Sequence, residues 1–342
     1  MENCTLVAIL SNHDADQADP AMDLSELLRA TSRTFALGIE LLPSDLRLQV
    51  RVAYLVLRVS DYLEDNTVMD KGAKIRLLEL WHRILRDEAD WRELAEGVGV
   101  GGDPIPDLEA VRHAGQIVAG LKGLPPEPRN VIVRHTGDST LGMARWVDRG
   151  PVFESEQDLD DYMHEVAGRV GYLLTDLFAL ASPALRGQLD RRMELGREFG
   201  LALQTVNVIR GLSTDRDRGW IFVPRDYLPP GVGTEEIFEP ECESAALHVL
   251  HGLVTKAEGH FESAEAYVTA IPRHHVRIRL FCLLPLFFGL RTLALSRANP
   301  DVLTGEVKIT RRDVRAIARR ASAFGISNQW IRWYSRRLLQ GA

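Results

Sequence analysis

Apolar residues recur every three or four positions along most of the chain, and alternating apolar and polar runs bounded by turns are almost absent. A repeat near 3.6 residues is typical of amphipathic helices, whereas strands alternate with a period of two. The pattern therefore predicts an all-α fold. Its candidate helices cover residues 23–40, 46–65, 73–96, 107–122, 127–149, 157–182, 186–214, 241–270, 275–297 and 311–339.

Clusters of proline and glycine at 97–106, 123–128 and 229–233 mark connections between helices. None of them is a polar low-complexity linker, so we expect one large helical domain over residues 23–342, preceded by a flexible tail over 1–22. With 342 residues and 45% hydrophobic content, the chain can bury a sizeable core.

The most apolar segment runs from Ile278 to Leu295 and is interrupted by Arg279, Pro285 and Arg291. Polar interruptions of this kind are costly in a bilayer. The segment therefore predicts a buried core helix rather than a membrane span.

Charge and cysteine content limit which partners and bound groups are expected. A net charge of −7 argues against nonspecific nucleic-acid binding, and three scattered cysteines argue against a zinc site or a disulfide framework. The apolar run 6–10 is short and follows Glu2 rather than basic residues, so it is not a secretory signal. We expect a cytoplasmic protein without a transmembrane anchor. The stretch 328–339 fits docking on the core, which we favour, or contact with a membrane surface, and nothing in the pattern indicates an oligomeric state.

One predicted helix carries charged residues on a face that should be buried. Within Y-L-V-L-R-V-S-D-Y-L-E-D, that face holds, at offsets 0, 4, 7 and 11, Tyr54, Arg58, Asp61 and Asp65. The residues around them are apolar, so the face points into a cavity. Two carboxylates one turn apart suit a hard cation such as Mg²⁺, and an arginine suits a diphosphate. The alternative is an ordinary Arg58–Asp61 ion pair at a solvated acidic helix end.

A second polar stripe lies further along the chain, where one helix face holds, at offsets 0, 3, 7 and 11, Gln204, Asn207, Gly211 and Asp215. Asn207 and Asp215 would supply two oxygen ligands two turns apart, with room beside Gly211 for an ion or a phosphate oxygen. An equally weighted alternative is a helix C-terminus ended by Gly211. Two such faces in one all-α chain favour a bundle lined by opposed metal-binding helices.

The order of these motifs resembles the squalene/phytoene synthase family of class I isoprenoid synthases, and its squalene synthase branch above all, from about residue 32 to 310. Several motifs in one order are a specific signal, whereas a lone D-x-x-E-D is weak. The matching segments are S-R-T-F (32–35), Y-L-V-L-R-x-x-D-x-L-E-D (54–65), L-G-M-A (141–144), V-A-G-x-V-G (166–171), L-Q-x-x-N-x-I-R (203–210), F-C-x-x-P (281–285) and V-K-I (307–309).

The resemblance implies a bundle around a central apolar cavity, in which Mg²⁺ joins aspartate-rich helices to an allylic diphosphate such as farnesyl diphosphate. It implies head-to-head joining of two such substrates, and NADPH in the squalene branch, which stays open for this chain. By position it assigns metal binding to Asp61, Asp65, Asn207 and Asp215. It assigns substrate or diphosphate binding to Ser32, Arg33, Phe35, Arg58, Gln204, Arg210, Phe281, Cys282 and Pro285, and makes Tyr54, in the pocket lining, a candidate catalytic residue together with Glu165.

Two positions depart from the family pattern. The second motif would read D-x-x-E-D but reads Gly211-Leu-Ser-Thr-Asp215, so one carboxylate of three remains. Together with Asn207 it resembles the N-x-x-x-(S/T/G)-x-x-x-(E/D) triad of terpene cyclases, which binds one Mg²⁺. Glu165 stands where the family has its catalytic tyrosine. It could accept a proton or stabilise a carbocation, or it could simply form an i,i+4 ion pair with Arg169.

Three functions are therefore weighed. The first is a Mg²⁺-dependent synthase that ionises an allylic prenyl diphosphate and couples it to a second prenyl unit. The second is a terpene cyclase or a prenyltransferase to another acceptor, which Gly211 and Glu165 favour. The third is a non-catalytic lipid-binding protein, against which the retained carboxylates argue, because facing an apolar cavity costs each of them several kcal/mol of desolvation.

Overall fold

The computed structural model describes residues 23–98 and 107–341, with only the backbone for Arg33 and Thr34, and these residues contain helices and turns without any strand. The tail predicted over 1–22 lies outside them. The helices are α1 (Leu24–Thr31), α2 (Arg33–Leu41), α3 (Ser44–Asp65), α4 (Lys71–Leu85), α5 (Trp91–Val98), α6 (Leu108–Arg112), α7 (Ala114–Lys122), α8 (Pro126–Arg149), α9 (Glu156–Met163), α10 (Arg169–Ala181), α11 (Leu189–Asp217), α12 (Glu243–Ala270), α13 (Val276–Ser296), α14 (Arg311–Phe324) and α15 (Asn328–Leu339).

The all-α prediction is confirmed, but five predicted helices are each divided in two. The break between α1 and α2 is at Ser32, whose backbone is extended and whose hydroxyl accepts a hydrogen bond from the Phe35 N–H at 3.1 Å. Serine favours such a cap because its oxygen satisfies a free amide of the first turn. The other breaks lie near Asp87 (φ 63°), at His113, at the π-helical turn His164–Gly168, and between α14 and α15.

The longest contact runs between α11 and α12, and α10 packs on the other side of α11. Small residues allow the second contact: a Cβ atom at Gly171 would overlap the backbone of Gly196. Close helix packing therefore accounts for this small-residue stripe.

Helix α13 is long and apolar enough to cross a membrane by length and composition, but 72% of its most apolar window is buried inside the protein. Its Arg279 is buried as well and donates to the carbonyl oxygens of Val268 (3.1 Å) and Gly325 (3.2 Å) and to Asn328 Oδ1 (2.7 Å). A buried guanidinium satisfied by carbonyl oxygens links α12, α13 and α15. The predicted core helix is confirmed.

Helix α15 docks on the core through Ile331, Tyr334 and Leu338. The Tyr334 ring meets Phe287 of α13 edge-on, with ring centroids 5.0 Å apart. Edge-to-face aromatic pairs add to the burial of apolar surface. The docking favoured from the sequence is therefore found on one side of α15.

Candidate functional site

The first acidic face lies at the C-terminal end of α3. Val52, Val56 and Val59 are fully buried and hold this helix in the core. The helical period then places its polar residues together on one face. The helix ends at Asn66, whose side-chain oxygen accepts hydrogen bonds from the backbone N–H groups of residues 68 and 69. The face is thereby fixed where the helix meets a rigid turn.

Helix α11 continues through Gly211 to Asp217, so the interpretation of Gly211 as a helix end is wrong. Asp215 therefore keeps its place on the polar face. The two faces meet at Arg218: one terminal nitrogen lies 3.0 Å from Asp65 Oδ1, and the other donates to Asp215 Oδ1. Two motifs about 150 residues apart in sequence thus share one cation.

Arg58 lies at the centre of the first face. It donates to Asp61, and its other terminal nitrogen lies 3.6 Å from an oxygen of Asp107. Its guanidinium is 5.6 Å from the Tyr54 ring centroid, and Tyr54 is hydrogen-bonded to the Ser32 hydroxyl. The Arg58–Asp61 pair offered as the simpler alternative is present. Of the acidic helix end in that alternative, Glu64 is buried, whereas Asp65 is exposed.

The carboxylates of the site are poorly solvated, and one oxygen each of Glu64 and Asp107 has no hydrogen-bond partner among the described residues. Burial raises the pKa of Asp61, and it raises the pKa of Asp215 although Arg218 opposes the shift. Burial and then the carboxylates of Asp65 and Asp61 hold the pKa of Glu64 well above its usual range, and its Oε1 has no hydrogen-bond partner among the described residues. Burial raises the pKa of Asp107 to about 6. Such a cluster attracts positive charge.

This donor set suits Mg²⁺ in kind, because carboxylate and amide oxygens are the ligands that a hard cation prefers, and an orphaned carboxylate oxygen of Glu64 lies among them. As placed, no group of three or more His, Cys, Asp or Glu side chains within residues 23–98 and 107–341 surrounds a single point closely enough to hold a metal. Arginines lie between the carboxylates instead.

Other predicted residues lie further from this centre or point elsewhere. Gln204 accepts a hydrogen bond from Asn207 at 3.3 Å, on the exposed side of α11. Arg210 forms an ion pair of 2.9 Å with Glu306 rather than with a carboxylate of the acidic faces. The Arg33 side chain lies outside the described residues.

The residues predicted to line the apolar pocket lie on α2, α3 and α13. The Phe35 and Tyr54 rings are 5.9 Å apart, and Phe281 is buried against Gly38 of α2. Cys282 is buried, which raises the pKa of its thiol, and Pro285 lies one turn further along α13. Phe281 and Cys282 thus belong to the core, whereas Phe35 is 44% exposed.

Glu165 lies on the π-helical turn between α9 and α10. Its carboxylate accepts hydrogen bonds from Arg169 at 2.5 Å and Arg145 at 3.1 Å, above Gly142, where a Cβ atom would overlap it. The i,i+4 ion pair is therefore present. The carboxylate also borders a cavity of about 310 Å³, whose other lining residues are Arg145, Trp146, Arg149, Asp161 and His164.

Sequence reasoning missed two neighbours of the acidic faces. Asp107 immediately precedes the short helix α6, where no periodic pattern marks it. Tyr162 is buried, and its pKa is raised well above the usual range by burial and then by Glu64, Asp65, Asp215 and Asp61. Its ring stacks on Phe222 at 4.8 Å. The only signal in the sequence was its position one turn before Glu165.

A bundle in which two helices turn acidic faces toward each other is the class I isoprenoid synthase fold. The solved structure of TcSQS with the ligand E5700 is similar to this chain over 92% of its length and 90% of that chain, with a TM-score of 0.80 and 26% sequence identity. Residues 28–313 match the family model "Squalene/phytoene synthase". The chain belongs to the squalene/phytoene synthase family, as its motifs predicted.

Two curated relatives agree with this membership. The squalene synthase ERG9 of Saccharomyces cerevisiae is 32% identical over 310 residues, which are 88% of this chain and 67% of that protein. The squalene synthase of Homo sapiens is 31% identical over 283 residues, which are 82% of this chain and 65% of that protein. The chain spans about two thirds of the length of these relatives.

Proposed function

We propose that this chain is a Mg²⁺-dependent prenyltransferase that ionises an allylic prenyl diphosphate, farnesyl diphosphate above all, and couples it to a second prenyl unit. The observation that carries the proposal is that Asp65 and Asp215 both pair with the Arg218 guanidinium, which brings the two acidic faces together. Membership of the squalene/phytoene synthase family supports it, as do relatives named squalene synthases.

In this mechanism Asp61, Asp65, Asn207 and Asp215 would hold the metal. Bound Mg²⁺ would neutralise the charge that develops on the departing diphosphate. Arg58 donates to phosphate oxygens, which its fork of N–H groups suits. It is preorganised for this by Asp61 and by the Tyr54 ring.

The carbocation left behind must be kept from water. The buried side chains of Phe281 and Cys282 wall the pocket with apolar surface, and Phe35 and Tyr54 offer aromatic faces that stabilise positive charge. Tyr54 touches both Arg58 and Ser32, so it links the diphosphate end of the pocket to the apolar end.

A second candidate is a terpene cyclase or a prenyltransferase to another acceptor. Two observations favour it. First, position 211, beside the Asp215 carboxylate, is a glycine rather than an acidic residue. Second, Glu165 replaces a phenol with a carboxylate that is already paired to two arginines. The Glu165 change bears on the fate of the carbocation, and the Gly211 change bears on the metal site beside it.

The test is incubation of the purified chain with Mg²⁺ and C10, C15 or C20 prenyl diphosphates, with and without NADPH. Pyrophosphate release and product mass are measured together. Release with a C30 product from the C15 substrate supports coupling, and a change of product on adding NADPH shows that NADPH is used. Release with a C15 product identifies the cyclase, and no release with any substrate overturns both enzymes.

A further inference from the structure

Arg218 occupies the space between the two acidic faces. It lies just after the last residue of α11, and it contacts Asp215 of that helix and Asp65 of α3 with its two terminal nitrogens. The two carboxylates therefore already share a cation. The shared cation is thus a side chain of the protein itself.

The charge of the second face explains why an arginine is tolerated there. Gly211 and Thr214 stand where the D-x-x-E-D pattern has carboxylates, so the face offers Asp215 alone. Each lost carboxylate weakens the attraction for a divalent cation, and a guanidinium a few ångströms away opposes it further. The chain has thus removed negative charge and added positive charge at the same place.

We propose that Arg218 is a built-in cation that takes the place of one divalent metal ion between Asp65 and Asp215, so that the site binds fewer or weaker divalent ions than its two helices could hold. This inference rests on the metal site of the proposed function. Arg218 here is a positioning residue: it holds α3 and α11 together and leaves part of its N–H fork free for a phosphate.

The test measures Mn²⁺ binding to the protein alone, by calorimetry and by the electron paramagnetic resonance of free Mn²⁺. Arg218→Gln and Arg218→Ala should gain a Mn²⁺ ion or bind Mn²⁺ at least about tenfold more tightly. Arg218→Lys keeps the charge and should resemble the wild type. Arg216→Gln is the matched control, because Arg216 pairs with the neighbouring Asp217 instead.

Unchanged Mn²⁺ binding in both Arg218 variants, with circular dichroism showing intact helices, would overturn the role of Arg218 while leaving the metal site in place. An equal gain in Arg216→Gln would overturn it too, since the effect would then be one of general charge. If no form of the protein binds Mn²⁺, the proposed function fails along with this inference.

A second, independent feature is the charge of the C-terminal helices. Residues 308–342 hold nine lysines and arginines and one acidic residue, Asp313, in a chain of net charge −7. Most arginines of the preceding helices form ion pairs. Within the described part of the chain, no ion pair is formed by the exposed Arg311, Arg312, Arg315, Arg319, Arg332, Arg336 and Arg337.

Large apolar side chains are exposed among these arginines. Phe324 and Ile326, in and near the turn between α14 and α15, are 54% and 48% exposed, and Trp333 is 53% exposed. Helical spacing places Trp333 on the solvent face of α15 with Arg332, Arg336 and Arg337. The Arg337 guanidinium lies 5.6 Å from the Trp333 ring. We call this solvent face of α15, with the turn before it, the basic face.

We infer that the basic face docks on an anionic phospholipid surface. Unpaired arginines are complementary to lipid phosphates and carboxylates, and a tryptophan with two apolar neighbours suits the headgroup region. A duplex nucleic acid would match the charge but offers no apolar layer for Phe324 and Ile326. The protein would thereby sit beside the membrane that takes up a water-insoluble product.

The test is sedimentation with vesicles of phosphatidylcholine alone or with 30% phosphatidylserine. The Arg332→Gln/Arg336→Gln/Arg337→Gln variant should lose at least about tenfold in binding to the anionic vesicles. The matched control neutralises three exposed arginines, Arg29, Arg76 and Arg83, which form no ion pair with a described residue, and it should stay within about twofold of the wild type.

Equal losses in the two triple variants, or no preference for anionic vesicles, would overturn the basic face. A third result would also overturn it: single-stranded polynucleotide at equal phosphate displaces the vesicles, and Trp333→Ser binds vesicles as the wild type does. The site would then recognise phosphate without the apolar side chains. None of these outcomes depends on catalytic activity.

Discussion

Asp61 and Asp65 lie one turn apart at the end of α3, and each is neutralised by a different arginine, Arg58 or Arg218. We expect Asp61→Asn or Asp65→Asn to slow pyrophosphate release by roughly a thousandfold, about 4 kcal/mol, because a metal ligand is lost where charge develops. The comparison is Asp45→Asn in the first turn of the same helix, which is exposed and should be silent. Wild-type turnover in both site variants, or in excess EDTA, would contradict the metal assignment.

Substitution of Asn207 tests whether the second polar face binds metal. Its side-chain amide donates to Gln204, which leaves its own oxygen free for a cation. We expect Asn207→Ala to impair ionisation nearly as much as Asp61→Asn does. Gln204→Ala removes the hydrogen bond but no metal ligand, and it should cost less than about tenfold. A silent Asn207→Ala beside an inactive Asp61→Asn would mean that the second face no longer binds metal.

At the scale of elements, the helical period correctly placed each polar stripe on a single helix, α3 or α11, because a polar stripe on an apolar helix can be recognised in sequence. That the two stripes form a metal site stays a prediction. The helical period could not show that Arg218 closes the gap between them, since that contact depends on how α3 and α11 pack. The breaks at Ser32 and Asp87 were missed for another reason. Their local backbone conformations interrupt the helix without interrupting the apolar pattern.

The π-helical turn His164–Gly168 is the element where sequence reasoning had least support. One extra residue per turn rotates the next side chains relative to an α-helix, and such turns are frequent at functional sites. The spacing rule for Glu165 and Arg169 still held, and the ion pair forms. Its second partner, Arg145, and part of the lining of the cavity beside Glu165 come from α8 and could not be inferred from the same segment.

The role of the Glu165 carboxylate can therefore be tested by substitution. If its carboxylate acts after ionisation, Glu165→Gln should keep Mg²⁺-dependent substrate consumption within about tenfold, roughly 1.4 kcal/mol, and change the product distribution. Arg145→Gln, which removes an exposed partner of Glu165, should leave the products unchanged. Gas chromatography with mass spectrometry reads the outcome. Identical product profiles for wild type and Glu165→Gln would leave only a structural ion pair, worth a few tenths of a kcal/mol.

At the scale of the whole molecule, one ionic network ties three helices together away from the acidic faces. The Lys256 ammonium group of α12 is almost fully buried and lies 2.6 Å from Asp160 of α9. On the same side of α12, His260 Nδ1 lies 2.6 Å from Glu198 of α11, and its Nε2 lies 3.8 Å from Asp160. Arg197 pairs with the other oxygen of Glu198. Helix packing in this region thus depends on protonation.

The direction of that dependence is set by the pKa of His260. Burial lowers it, but the nearby Asp160 carboxylate and the hydrogen bond with Glu198 outweigh burial, so the folded pKa lies above the ordinary 6.5. A group whose pKa is raised by folding contributes its stability fully below the unfolded pKa and loses it as the pH rises through the folded one. Asp160 and Glu198 act in the opposite sense: their pKa values are lowered, so their contribution is lost on acidification.

We therefore expect the free energy of unfolding to fall as the pH rises from about 6 to above the folded pKa of His260. His260→Gln should cost about 1 to 3 kcal/mol at pH 6, because a charged hydrogen bond is lost, and less at higher pH. His251→Gln, on the exposed side of the same helix, should change neither the stability nor its pH dependence. Urea unfolding monitored by circular dichroism at pH 6 and at pH 8.5 measures both. A His260→Gln variant whose loss of stability is equal at the two pH values would show that the histidine packs there in its neutral form, with the network held by Lys256 alone.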